Sequence, residues 1–520
     1  MPFRHAEQKA YFRRQSMFKR IGVIGAGAMG RGIAQLFASS GQQVLLFDTR
    51  KEAIDDALAF NRNLLQRAQA KGKMTEAELE ATVARMQPAA QLTDLAECDL
   101  VIEAIVELLE VKQKLFADLE AIVSADCVLA TNTSSLSVTR IASTAKHPER
   151  VAGFHFFNPV PLMKIVEVVR GERTDERHIQ ALVALADQAG HFPAITPDTP
   201  GFLVNHAGRA FGTEALRMLS EGVASVQQID RILRDGPGFR MGPFELFDLT
   251  GLDVSHAVME SVYEQFYHDP RYTPSFIAAQ RVAAGLLGRK TGQGFYRYED
   301  GQKIEQPEPQ PETVLITRPF WLETDDDALR NQVADVLTKA GATLETGSKP
   351  SDDAICLITP LGDDCSTALT QLGLPAERTL ALDSFANWEK RRTLMRQPAA
   401  KAEVVAQARQ ALSADGVPVE VINDSPGFVI QRLIASVVNL GCEIVQKGIT
   451  TPQTLDRAIQ LALGYPKGPL AFGEHYGAAN ILAVLNNLQT NYGEPRYRPS
   501  PWLRRRVQLE LPLTTPDFQE

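Results

Sequence analysis

The run DTPGF at 198–202 returns as DSPGF at 424–428, an offset of 226 residues. Without a gap, the same offset carries Gly222 onto Gly448, Asp230 and Arg231 onto Asp456 and Arg457, and Gly242-Pro243 onto Gly468-Pro469. It also carries Gly238 onto Gly464 and Gly251 onto Gly477. One register held through so many Gly, Pro and Asp positions marks a duplicated module. The first copy reads as mostly helical, with stretches such as ALRMLSEG and VQQIDRIL, and a second helical region starts near Asp424. A chain of 520 residues organised this way is not one continuous core; at about 150 residues per domain it holds three or four.

Upstream of the first copy, from Phe18, short β-branched runs alternate with amphipathic stretches. KRIGVIG, QQVLLFD, CDLVIEAI and CVLATN read as strands, and 28–40, 52–71 and EVKQKLFADLEAIV as helices. This alternation predicts a parallel sheet with helices on both faces. The proline- and charge-rich EDGQKIEQPEPQPE (299–312) reads as a linker. Beyond it TVLITRP, DAICLITPLG and TLALDS predict strands of a second α/β region. The expected division is an extension over 1–16, an α/β domain over 17–200, a first helical copy over 201–298 and the linker 299–312. A degenerate α/β region over 313–420 and a second helical copy over 421–520 complete it. The extension, MPFRHAEQKAYFRRQS, is polar and basic without an apolar centre. It reads as a disordered tail or an upstream start before Met17, not a secretory signal.

Residues Gly25-Ala26-Gly27-Ala28-Met29-Gly30 form a GxGxxG between the strand IGVI and a helix. Gly25 permits the tight turn, Gly27 lets the backbone approach a pyrophosphate, and Gly30 allows helix to pack on strand, while the helix N-terminus offers amide donors. Asp48, 18 residues past Gly30 at the end of the second strand, stands where a carboxylate meets ribose hydroxyls. It would repel a 2′-phosphate, which favours NAD over NADP; Arg50, two residues on, is a feature that would suit NADP. The fold class is therefore α/β, a Rossmann-type NAD domain followed by an all-α domain, with a degenerate α/β region and a second all-α copy.

GFHFFNPVPLMKIVEVV (153–169) sets two alternating apolar runs about a turn-rich PVP. A hairpin centred near Pro161 brings His155 and Glu167 face to face, each six residues from the turn. Such a pair suits general-base work: the carboxylate holds one imidazole nitrogen as donor, and the other exchanges a proton with an alcohol. A purely structural His–Glu pair is the blander reading, and the nearby cofactor motif weighs against it. TNTSSLSV (131–138) follows a buried strand, so Asn132, Ser134 and Ser135 fall at its C-terminal end, where open α/β sheets bind ligands. One of these hydroxyls also suits the N-cap of the next helix. Asn205, just past DTPGF, can bring an amide to a cleft.

Composition excludes several classes. A formal charge of −9, with 44% hydrophobic and 22% charged residues, gives no general attraction for nucleic acid or anionic membranes. Five scattered cysteines without a CxxC exclude a disulfide framework and a structural zinc, so no metal is expected and a reducing compartment, the cytoplasm, is. No apolar run reaches the roughly 18 residues of a membrane span.

With these residues in hand, the sequence resembles the NAD-dependent L-3-hydroxyacyl-CoA dehydrogenases from about Lys19 to Tyr298. The motifs that carry the resemblance are GAGAMGRGIA, LVIEAIVE, NTSSLS, HFFNPVPLMKIVEVV, DTPGFLVN, MGPFELFDLTGLD and RKTGQGFY. The long form, with a second helical copy and RRTLM at 391–395, resembles bacterial members of phenylacetate catabolism that act on 3-hydroxyadipyl-CoA. The resemblance implies His155 as catalytic base, Glu167 as its partner, and Ser134 and Asn205 as polar contacts to the reacting oxygen. It implies NAD contacts from the glycine loop, Asp48, Glu107, Lys112, Ser134, Asn158 and Lys290, and a CoA contact from Lys71. The implied partner is a small acyl-CoA substrate. Whether the helical copies make a homodimer or an intrachain pair stays open.

The offset maps Asn205 to Gln431, His155 to Ala381 and Glu167 to Thr393, and no GxGxxG occurs after residue 313. The second half therefore reads as scaffold, and one NAD per chain is expected. Two competing readings are a dehydrogenase of free hydroxy acids or sugar acids, many of which use a lysine base, and a structural protein that kept the fold and lost turnover.

Overall fold

The computed structural model describes residues 18–304, 307–308 and 313–517; the expected tail over 1–16 and part of the linker lie outside the described residues. Two compact units result, and their boundary does not follow the linker. One joins the chain up to His206 with Gly448–Leu463, and the other joins Ala207–Lys447 with Gly464–Glu520.

The first unit is built on eight strands: β1 (Arg20–Ile24), β2 (Gln43–Phe47), β3 (Met86–Pro88), β4 (Leu100–Glu103), β5 (Val128–Thr131), β6 (Val151–Phe156), β7 (Ile165–Arg170) and β8 (Phe192–Pro197). Their order is β3-β2-β1-β4-β5-β6-β7-β8. The pairs are parallel except the β6–β7 hairpin. The central strands are near-continuous apolar runs because helices cover them on both sides. Helix α1 (Ala28–Ser39) buries Ile33 and Phe37, and the Phe37 ring meets Phe154 and Phe156 of β6 at centroid distances of 6.2 and 5.9 Å. The glycine loop is thereby tied to the strand that carries His155. Helices α2 (Lys51–Ala70) and α3 (Leu109–Glu120) follow β2 and β4.

The second unit holds the first helical copy, including α4 (Val226–Asp235), a two-stranded ribbon, β9 (Tyr298–Glu299) with β10 (Gln302–Lys303), and a second sheet. That sheet comprises β11 (Phe320–Glu323), β12 (Leu344–Glu345), β13 (Ile355–Ile358), β14 (Thr379–Leu382), β15 (Arg392–Arg396) and β16 (Val419–Asn423), ordered β12-β11-β13-β14-β15-β16. Helix α5 (Asp327–Lys339) follows β11. TVLITRP is not a strand. The Gln407 carboxamide oxygen accepts from the amides of Thr317 and Arg318 at 2.9 and 3.3 Å, and the strand begins after Pro319.

The duplication extends further upstream than the helical modules. Val166 pairs with Pro193 across β7–β8, and Arg392 pairs with Val419 across β15–β16, the same register at the same offset. The β14–β15 hairpin departs from it. Ala381 pairs with Met395 rather than Thr393, and the amide of Asp383 donates to the Thr393 carbonyl at 3.1 Å. Asp383, not Ala381, therefore faces the residue equivalent to Glu167.

Helix α6 (Ile430–Gln446) is buried along almost its whole length and binds the two helical copies together. Its Arg432, fully buried, donates to Glu214 and Glu221 of the first copy, both at 2.6 Å, and to the Tyr492 hydroxyl at 2.7 Å. The copies also exchange helices between sheets. In the second unit Gln228 of α4 donates to the Val421 carbonyl of β16 at 3.0 Å. In the first, the Pro452–Leu463 helix packs against β7 and β8, and the nearby Thr450 hydroxyl donates to the Ile195 carbonyl at 3.4 Å. Ile195 and Val421 are themselves equivalent under the 226-residue offset.

Candidate active site

The glycine loop has the geometry a dinucleotide requires. Gly25 has φ +99°, and a Cβ there would lie 2.5 Å from the Ala104 carbonyl oxygen. A Cβ on Gly30 would lie 1.7 Å from the Gly25 oxygen, whereas one on Gly27 would meet no protein atom within 4 Å. Gly27 thus faces the open side, where any side chain would take the space of a pyrophosphate. Helix α1 starts at this point with no side-chain cap and no acid in its first turn, so its leading amides and positive end are available to an anion. Asp48 accepts from the amides of Ala26 and Arg50 at 2.8 and 2.9 Å, which locks the loop against β2.

At the corresponding place in the second unit, the ends of β11 and β13 open on a cavity of about 760 Å³ lined by Glu323, Asp325, Asp327, Asp363, Thr359 and Ser384. Asp326 caps α5, accepting from Ala328 and Leu329 amides at 2.9 and 3.0 Å. Occupied amides and a field of carboxylates do not suit a pyrophosphate.

The hairpin about Pro161 forms in the expected register, with His155 opposite Glu167. His155 Nδ1 and Glu167 Oε2 are 2.6 Å apart, and both side chains are buried. The other carboxylate oxygen, Oε1, accepts from the Leu203 and Val204 amides at 2.9 and 2.7 Å. Those amides converge because Phe202, after Gly201, has φ +50° in the turn of DTPGF. The carboxylate is thus held on both sides and fixes the imidazole, which leaves Nε2 as the nitrogen for a substrate proton.

The TNTSS loop lies beside this pair. Asn132 accepts from the Phe156 amide at 2.8 Å, and Asn205 Nδ2 donates to the Ser134 carbonyl at 3.2 Å. The N-cap role expected of a hydroxyl here falls to Ser137, which accepts from the Arg140 amide. Glu107 Oε1 accepts from the Ser134 and Ser135 amides at 2.9 and 3.2 Å. Burial pushes the Glu107 carboxyl up, but Lys112 and the bonds from Thr133 and Ser134 outweigh it and hold the group below the usual carboxylate range.

The structure therefore brings together His155, Glu167, Ser134, Asn205 and Glu107. Lys112 has a side chain 1% exposed, and its ammonium is bonded to Glu103 and to Glu107. Asn158 and Lys71 are exposed, the first at the start of the hairpin turn and the second at the end of α2. Lys290 lies in the second unit and pairs with Asp253 at 2.6 Å. Glu103, Thr131 and Thr133, which the motifs did not single out, line the inner side of the loop. Their one signal was the acid inside the apolar run LVIEAI. Among the described residues no His, Cys, Asp and Glu cluster could hold a metal, and no helix is long and apolar enough to cross a membrane.

A glycine-cradled dinucleotide loop, a buried His–Glu pair and a duplicated helical module define a nucleotide-dependent alcohol dehydrogenase fold. Family models match the chain at residues 20–199, "3-hydroxyacyl-CoA dehydrogenase, NAD binding domain", and at 201–298 and 427–513, the C-terminal domain of the same family, which is thus matched twice. The chain belongs to the NAD-dependent 3-hydroxyacyl-CoA dehydrogenases, oxidoreductases acting on a CH–OH group. It is 39% identical to 3-hydroxyadipyl-CoA dehydrogenase of Escherichia coli K12, over 94% of this chain and 98% of that one. A crystal structure of 3-hydroxybutyryl-CoA dehydrogenase from E. coli K12 superposes with TM-score 0.82 at 38% identity, covering 95% of this chain and 99% of that one. The 3-hydroxybutyryl-CoA dehydrogenase of Clostridioides difficile is 41% identical over 54% of this chain and 99% of its own length.

Proposed function

We propose that the protein oxidises L-3-hydroxyacyl-CoA esters with His155 as general base, and that 3-hydroxyadipyl-CoA is its preferred substrate, in phenylacetate or fatty-acid catabolism. The observation that carries the catalytic part is the buried 2.6 Å pair of His155 and Glu167 beside Ser134 and Asn205. NAD, when bound, supplies the hydride acceptor. His155 Nε2 takes the proton of the 3-hydroxyl as hydride leaves C3, and returns it in the reverse direction. Glu167 keeps the ring oriented and balances the charge it gains. Ser134 and Asn205 hold the oxygen whose charge changes, so stabilisation is in place before the reaction begins. Asp48, Glu107, Asn158 and Lys290 are proposed to contact NAD, and Lys71 a phosphate of CoA.

The preference for a dicarboxylic chain is supported by the full-length similarity to the E. coli 3-hydroxyadipyl-CoA enzyme. A reducing compartment such as the cytoplasm is supported by five cysteines that are all buried and outside any disulfide. NADH formation on 3-hydroxyadipyl-CoA and 3-hydroxybutyryl-CoA tests the substrate: a higher kcat/KM on the four-carbon ester overturns the preference. His155→Gln tests the base. It should lower kcat by about a hundredfold or more with little change in acyl-CoA KM, and near-normal turnover would sink the assignment.

A further inference from the structure

The two helical copies meet in an aromatic cluster that breaks the 226-residue symmetry. Phe239 of the first copy becomes Tyr465 in the second, and Arg209 becomes Ala435. Phe239 packs against Phe211 and Tyr465 at centroid distances of 4.7 and 4.9 Å, and Phe211 lies 5.6 Å from Tyr465. Tyr465 is 5% exposed, and its hydroxyl is buried with no hydrogen-bond partner. Burial pushes that hydroxyl up, so it stays a proton donor. Arg209 lies close enough to act on Tyr465 electrostatically, and burial pulls the guanidinium down to about 10. All of these residues belong to the second unit. A buried donor without a partner is costly to keep, and here it stands near a cation in an apolar wall. Cation and donor together suit one kind of ligand group, a carboxylate. The symmetric counterpart, Ala435 with Phe239, is apolar, so the polar pair exists only for the copy that carries Asn205.

The chain itself sets the distance from the chemistry. Arg209 comes four residues after Asn205, and the backbone is helical through Val204–Ala207 and Gly208 into the Arg209–Ser220 helix. Residues so spaced are neighbours on one helix face, about 6 Å apart along the axis. In a six-carbon dicarboxylic chain C3 and the terminal carboxyl carbon are three bonds apart, about 3.8 Å when extended. A charge-assisted hydrogen bond of about 2.8 Å completes that reach, whereas a four-carbon chain ends well short of it. Arg240 is a second cation nearby, its Cδ 3.6 Å from the place of a Cβ on Gly464. It is exposed, and a charge held in water discriminates little.

We infer that Arg209 and Tyr465 determine specificity by binding the terminal carboxylate of a dicarboxylic acyl chain, Arg209 as the cation and Tyr465 as a hydroxyl donor. The inference rests on the proposed dicarboxylic preference and on Asn205 as a contact of the 3-oxygen. The second helical copy then supplies one donor to the substrate.

The test measures kcat/KM on 3-hydroxyadipyl-CoA and on 3-hydroxyhexanoyl-CoA, which has the same length and no terminal carboxylate, for the wild type, Arg209→Met and Tyr465→Phe. Arg209→Met should lower the dicarboxylic value by about a hundredfold, and Tyr465→Phe by about tenfold. The monocarboxylic value should stay within about threefold for both, since a chain without the carboxylate forfeits nothing there. Equal losses on the two esters would report a structural role and overturn the inference. Tyr465→Phe removes a hydroxyl that pairs with nothing in the free protein, so its Tm should not fall; where Arg209→Met does not fold, Tyr465→Phe decides. A wild type without preference for the dicarboxylic ester would fail the substrate reading itself. A wild type with that preference, beside variants that keep it, would fail the Arg209–Tyr465 site alone.

Discussion

A methyl group added at Gly30 would lie 1.7 Å from a backbone oxygen, whereas one added at Gly27 would touch no protein atom. The two substitutions should therefore fail differently. Gly30→Ala should destabilise the first unit by about 1–3 kcal/mol or more through overpacking, seen as a lowered Tm. Gly27→Ala should keep its Tm and lose NADH affinity in a fluorescence titration. Asp383 offers a second contrast at this scale. It accepts from the Phe385 amide and Gln431 Nε2, both at 3.0 Å, while its second oxygen has no partner. Burial pushes its carboxyl up to about 7. An acid raised on folding stabilises fully below its unfolded value, and that contribution is lost as pH rises through about 7. Asp383→Asn removes the titration, so the Tm of the wild type should fall relative to the variant from about pH 4 to about 7 and run parallel to it above that; parallel curves across the whole range would contradict this.

At the level of elements, what could be read from the residues depended on whether the pairing was local. The β6–β7 hairpin was legible because both arms alternate with period two about PVP, so symmetry about Pro161 placed Glu167 opposite His155. The β14–β15 hairpin was not, because a shift of two residues leaves every side chain on its own face and so leaves the pattern unchanged. The contacts of Glu103 with Thr131 and Lys112 were hidden for a related reason. Glu103 and Thr131 end adjacent strands and Lys112 lies on a helix, so their meeting depends on sheet order rather than spacing. TVLITRP misled because its apolar text suits a strand, while a distant side chain, Gln407, takes its amides. The two helices that follow β1 and β11 start in opposite electrostatic states, α1 uncapped and α5 capped by Asp326. Calorimetric titration with NADH should accordingly find one site per chain; two tight sites would refute the contrast drawn between them.

For the whole molecule, the second half offers a buried ionic attachment to the first helical copy. Arg432 is fully buried against Glu214 and Glu221, and removing one partner of such a cluster leaves charge without compensation. Glu214→Gln should cost about 3–5 kcal/mol of stability in denaturant titration, while NADH affinity at temperatures where the variant is folded stays near normal. Burial pushes the Glu214 carboxyl up, but Arg432 and Arg496 outweigh it and hold it below the usual range. Its contribution is present above the ordinary glutamate value and fades as pH falls through the lowered one, so the gap between wild type and variant should narrow in acid.

The helix exchange has a consequence for how the protein is made. The first unit takes Gly448–Leu463 into its own body, against β7 and β8. A ribosome therefore releases β7 and β8 long before the helix that seats on them. Until Leu463 has emerged, β7 and β8 lack the helix that packs on them in the folded unit, so the first unit can close only after most of the second has been made.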